Sequence, residues 1–132
     1  MAAYLLIALG SAIGGAARYW ATQFVGARTG ELFPWGTLAV NASGSLLIGF
    51  LGALSQPNTL WHVSPDARLF LMVGLLGGFT TFSAFSLQTL NLMRDGEGLY
   101  AAAYVVGSVI VCLLAVWAGF AAAASLGHVR GS

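Results

Sequence analysis

No charged side chain stands between Glu31 and Asp66, between Arg68 and Arg94, or between Glu97 and Arg130, and none precedes Arg18. These runs constrain the fold more than any motif. A helix crosses the hydrocarbon core of a bilayer in about 20 residues, at about 1.5 Å rise each. The sequence predicts four such helices, at about 2–25, 35–55, 68–93 and 99–126. The expected class is an all-α membrane protein, with residues 1–132 forming a single transmembrane domain. A cleaved signal would need a basic segment ahead of the first apolar run. Met1-Ala2-Ala3-Tyr4 has none, so the first helix is expected to stay in place.

Composition excludes the soluble alternatives. Charged residues are 7% of the chain and hydrophobic ones 58%, where soluble domains carry about 25% charged residues. A net charge of +1 with no lysine gives no footprint for nucleic acid. The single cysteine, Cys112, allows no disulfide within the chain and no cysteine metal site. No phosphate-binding loop is present. The acids Glu31, Asp66, Asp95 and Glu97 fall at expected helix ends, which leaves no embedded carboxylate for proton coupling. No catalytic residue and no enzymatic activity are expected.

Arginine gives almost no orienting bias. Arg68 and Arg130 lie on the side of the termini; Arg28 and Arg94 lie opposite, with Arg18 inside helix one nearer that second side. Such a balance fits either a weakly biased small protein or a chain that inserts both ways. Gly10, Gly14 and Gly15 in helix one and Gly44, Gly49 and Gly52 in helix two would let backbones approach closely in lipid. That approach would serve the bundle itself or a dimer.

Polar groups at membrane depth carry the functional signal. Asn41 lies in helix two, and an unpartnered amide in hydrocarbon costs several kcal/mol. It is either a bond between helices or a lining group. In helix three, Gly77-Gly78-Phe79-Thr80-Thr81-Phe82-Ser83-Ala84-Phe85-Ser86 joins paired glycines to a run of hydroxyls. Glycine weakens a helix by about 1 kcal/mol relative to alanine. The expectation is a kink, or a break whose freed carbonyls face protein, water or an ion. Phe79, Phe82 and Phe85 are ordinary packing residues, or their electropositive ring edges line an anion path. Tyr104, Ser108 and Cys112 share one face of helix four. His62 and His128 are expected to be solvated loop and terminal residues.

The run at 77–86 closely resembles the helix-three signature of the Fluc (CrcB) fluoride channels. Gly14-Gly15-Ala16-Ala17-Arg18-Tyr19 resembles that family's helix-one motif, and Gly36-Thr37-Leu38-Ala39-Val40-Asn41-Ala42-Ser43-Gly44 its helix-two motif. The resemblance implies a channel for passive fluoride export in the bacterial cell (inner) membrane. It further implies an antiparallel, dual-topology homodimer with a break in helix three. A structural sodium ion would be held at the centre by the backbone carbonyls of Gly77 and Thr80. The fluoride pathway would run past Asn41, Phe82, Ser83, Phe85, Tyr104 and Ser108, with Arg18 in the vestibule. Three positions depart from the family pattern. Ala84 stands where threonine is common, Gln88 where glutamate is frequent, and Cys112 where serine or threonine is found. Two other readings compete. A small multidrug-type antiporter would need a glutamate in helix one, which is absent. A non-transporting tetraspan subunit would leave the helix-three motif unexplained.

Overall fold

The computed structural model describes residues 1–128, and it is helical wherever it is regular; Arg130 lies outside the described residues. Helix α1 is Ala2–Thr29 and α2 is Trp35–Leu54. The third span, Pro65–Arg94, is built from pieces. It opens with α3 (Pro65–Arg68), continues through a π-wound segment (Leu69–Leu76) and α4 (Gly77–Phe79), and resumes as α5 (Phe82–Arg94). The fourth span is α6, Gly98–His128. Among the described residues, four helices are thus long and apolar enough to cross a membrane, as the charge-free runs require. The first reaches past its expected end to Thr29, and the fourth past its expected end to His128.

Local chemistry sets the ends. Gly30, at φ +83°, closes α1 with its N–H on the Gly26 carbonyl (3.0 Å), a left-handed position that suits glycine. Ser64 caps the third span by accepting from the Ala67 N–H (3.2 Å), with Pro65 in the first turn, where its missing N–H costs nothing. Between the third and fourth spans Gly96, at φ +79°, lets the Glu97 N–H turn back to the Leu92 carbonyl (2.8 Å). That bond makes the tight helical hairpin expected from the short connection.

The spans pack as two backbone-close pairs. Helix α2 lies along α6, where a methyl at Gly49 would overlap the Val116 carbonyl oxygen and one at Gly119 would overlap that of Leu46. Helix α1 lies along the π-wound segment and α4. There Gly14 meets the Leu75 carbonyl, Gly74 meets that of Ile7, and Gly78 meets that of Ser11. Lipid tails give no hydrophobic gain on helix association, so such close approach supplies the dispersion and dipole contacts that replace it. Gly15 and Gly52, grouped with these by spacing alone, have open space where a side chain would begin.

The outward faces are apolar: Leu5, Leu9 and Ile13 on α1, and Val106, Ile110, Leu113 and Trp117 on α6 are exposed. In water this would be an aggregation surface; in lipid it is the solvent-facing side. The largest fully buried side chains are Tyr104 and Val40.

Candidate functional site

The third span is interrupted at Thr80 (ψ 159°) and Thr81 (φ −153°, ψ 121°), both extended. The paired glycines expected to weaken the helix stay helical in Gly77–Phe79. Gly78 is there for packing against Ser11, and the chain opens one turn later, at the β-branched pair. Two outside groups hold it open. The Asn41 amide spans the Thr81 backbone, donating from Nδ2 to its carbonyl (2.9 Å) and accepting its N–H at Oδ1 (2.8 Å). Arg18 Nη1 donates to the Thr80 carbonyl (3.4 Å). Thr81 then starts α5 as its N-cap, its Oγ1 accepting from the Ala84 N–H (3.1 Å).

One consequence falls on Gly77. In a continuous helix the Thr81 N–H would donate to the Gly77 carbonyl. Here it donates to Asn41, and Gly77 loses that donor. The second N–H of the Asn41 amide, anti to its oxygen, points away from Thr81.

Asn41, Phe82, Phe85 and Ser108, four of the expected pathway residues, line one cavity of about 330 Å³ with Gly77, Thr80, Thr81 and Cys112. Among the described residues, no charged side chain lines it. Ser108 is buried, at 7% exposure, and its hydroxyl has no hydrogen-bond partner. The Phe82 and Phe85 rings sit 5.4 Å apart, tilted at 48°. Phe82 is 79% exposed, so one side of this wall is open to whatever surrounds the chain.

Arg18 and Ser83 line a second, larger cavity of about 840 Å³, together with Glu31, Thr37 and Gln88. Tyr104 lines neither cavity. It is wholly buried, packed at 5.0 Å against Phe85 and edge-on at 5.4 Å against Phe33, and its hydroxyl donates to Gln88 Oε1 (2.8 Å). Gln88 thus retains the acceptor that a glutamate would supply there. Ala84 still donates its N–H to the cap, a role its side chain does not enter.

Two residues outside the expected set are central. Thr81 lines both cavities, and its hydroxyl lies 3.3 Å from that of Ser83. Its place as a threonine immediately before an apolar helix was a readable N-cap signal. Phe33, from the connection before α2, closes over Tyr104 and Tyr100, and no local pattern marks it. Tyr104, Ser108 and Cys112 do share the inner face of α6, as their four-residue spacing predicts. His62 is exposed in the loop after α2.

Comparison with known proteins extends along the same residues. The family model for CrcB-like proteins, described as camphor resistance, matches residues 5–120. A fluoride-specific ion channel of Methylocella silvestris is 55% identical over 129 residues, covering 98% of each chain. One of Opitutus terrae is 52% identical over 132 residues, the full length of both. A third, from Geobacter sulfurreducens, is 47% identical over 126 residues, covering 96% of this chain and all of its own. With the family model spanning most of the sequence and these relatives matching it nearly end to end, the chain belongs to the CrcB-like protein family.

Proposed function

We propose that this chain is a fluoride-specific channel that lets the anion leave the bacterial cytoplasm passively across the inner membrane, working as an antiparallel homodimer. The observation that carries this reading is the unpartnered Ser108 hydroxyl. Ser108 lines a cavity with Asn41 and two phenylalanine rings and, among the described residues, with no charged side chain. A buried hydroxyl without an acceptor is costly. An anion at this place would satisfy it, and the ring edges would add positive electrostatic character without a formal charge. Fluoride is small and strongly hydrated, and its water must be replaced by donors. Neutral donors do this without holding the ion so tightly that it stops moving.

Passive movement fits the positions of the acids. Glu31, Asp95 and Glu97 lie between helices, and Asp66 sits in the first turn of the third span. None is placed to carry a proton through the membrane. Hydrogen fluoride enters cells as the neutral acid and ionises inside, so an anion path is sufficient to return it.

A dimer explains the exposure of Phe82. A pathway residue 79% exposed in one chain would face lipid unless a second copy covered it. The balanced arginines support an antiparallel arrangement, since neither orientation is favoured.

A sodium ion at the dimer centre would suit the oxygens that the break leaves without helical donors. Gly77 lacks its helical donor, and Thr80 accepts only a long bond from Arg18, leaving a lone pair. Carbonyl oxygens are hard ligands appropriate to an alkali cation. Two from each copy would hold it, and the ion would tie the two breaks together. The Asn41 bridge takes up the Thr81 N–H that would otherwise donate to Gly77.

The test is efflux from liposomes containing the purified chain alone, driven by a potassium–valinomycin potential. Fluoride is expected to leave and chloride to remain. No fluoride flux above protein-free vesicles, with folded protein present, rejects the reading.

A further inference from the structure

The cavity beside Phe82 holds a group that fluoride conduction does not require. Cys112 lies one turn beyond Ser108 on the same face of α6, lines the same cavity, and is partly exposed as a free thiol. It is the only cysteine in the chain. Ser108, 7% exposed and with an unpartnered hydroxyl, stands in the same wall, a polar group that packing within one chain leaves unsatisfied. A guest in this cavity meets the wall that carries both Ser108 and Cys112. The cavity, about 330 Å³, has room for a small molecule beside the thiol.

We propose that Cys112 is a covalent modification site in the wall of the conduction cavity, taking small, neutral, thiol-directed electrophiles of the thiosulfonate class, and that the adduct blocks the path. The proposal rests on the channel reading given above. With methyl methanethiosulfonate the step balances without a further oxidant. The Cys112 thiol gives its proton to water, and its sulfur attacks the sulfenyl sulfur of the reagent. The reagent's own S–S bond breaks and methanesulfinate leaves with the electron pair. A methyl disulfide remains on Cys112 and projects into the space that Asn41, Phe85 and Ser108 share. An anion in that space and the incoming reagent exclude one another, so fluoride slows the reaction.

The experiment uses the full chain in liposomes, with intact mass and fluoride flux measured on the same sample before and after methyl methanethiosulfonate. One methyl-disulfide adduct per chain is expected. Flux should fall by about tenfold or more, as for loss of a single essential path, and return after dithiothreitol. Labelling should be slower in fluoride than in sulfate at equal ionic strength. Cys112→Ser should take no adduct, and its flux after treatment should equal its own flux before. Failure of the folded chain to label, where the unfolded chain does, overturns the proposal. So does an adduct that leaves flux unchanged, or labelling indifferent to fluoride. A failure of the channel reading shows separately, as absence of flux before any reagent is added; the mass and fluoride-dependence measurements then still decide the site.

Discussion

Asn41 engages two backbone groups of Thr81 at once, and this makes its substitutions separable. Asn41→Ala leaves a donor and an acceptor unpaired at membrane depth. Thermal unfolding in detergent should show a loss of about 2–4 kcal/mol, the cost of two buried unsatisfied groups. Asn41→Asp keeps an acceptor for the Thr81 N–H, gives up the donor to the Thr81 carbonyl and sets a carboxylate against the proposed path. This variant should fold and lose fluoride flux by about tenfold or more, since each 1.4 kcal/mol of added barrier is a factor of ten. If Asn41→Asp conducts normally, the amide is helix glue and nothing more. Phe82 tests the ring-edge argument in the same way. Phe82→Ile keeps apolar bulk and removes the electropositive edge, so flux should fall by about tenfold while the protein's size in detergent is unchanged. Unaltered flux in that variant would reject the role.

Among the elements, the two glycine-lined helix pairs carry the bundle. Gly49→Ala and Gly119→Ala each drive a methyl into a carbonyl on the facing helix, α6 or α2. Each should destabilise by about 1–3 kcal/mol, the usual range for overpacking. Gly52→Ala enters open space and should change stability by less than about 0.5 kcal/mol, or raise it through helix propensity. Equal effects at Gly49 and Gly52 in an unfolding titration would contradict this packing. The contrast also shows what sequence could not supply. Spacing put Gly49 and Gly52 in one class, because both lie in an apolar helix; only the facing element distinguishes them. The four spans were legible from the charge-free runs, because desolvating a charge in lipid is too costly to hide. The inner face of α6 was legible from the spacing of Tyr104, Ser108 and Cys112. The position of the break was read only to within a turn. Glycine's weak propensity pointed to Gly77 and Gly78, whereas the decisive partner, Asn41, lies on another helix and far away in sequence. The π-wound run Leu69–Leu76 had no sequence signal, and it coincides with the close approach of α1 at Gly10, Gly14 and Gly74.

The whole molecule is defined by what one copy leaves uncovered. Of the proposed pathway residues, Ser108 is buried and Phe82 is largely exposed, so a single chain would build only part of the wall. Antiparallel pairing would complete it and would turn the arginine balance from a weak statistic into a requirement. A reporter fused at Met1 should then be protease-accessible in about half of the molecules in sealed inner-membrane vesicles, and a few lysines added beside it should drive that fraction toward one face. A wild-type chain found in a single orientation would rule out the antiparallel dimer. Passive conduction of fluoride can be read from the reversal potential of the purified protein in a planar bilayer under a fluoride gradient. Current should reverse at the fluoride equilibrium potential and stay there when a pH gradient is added. A reversal elsewhere, or one that moves with the pH gradient, would contradict it.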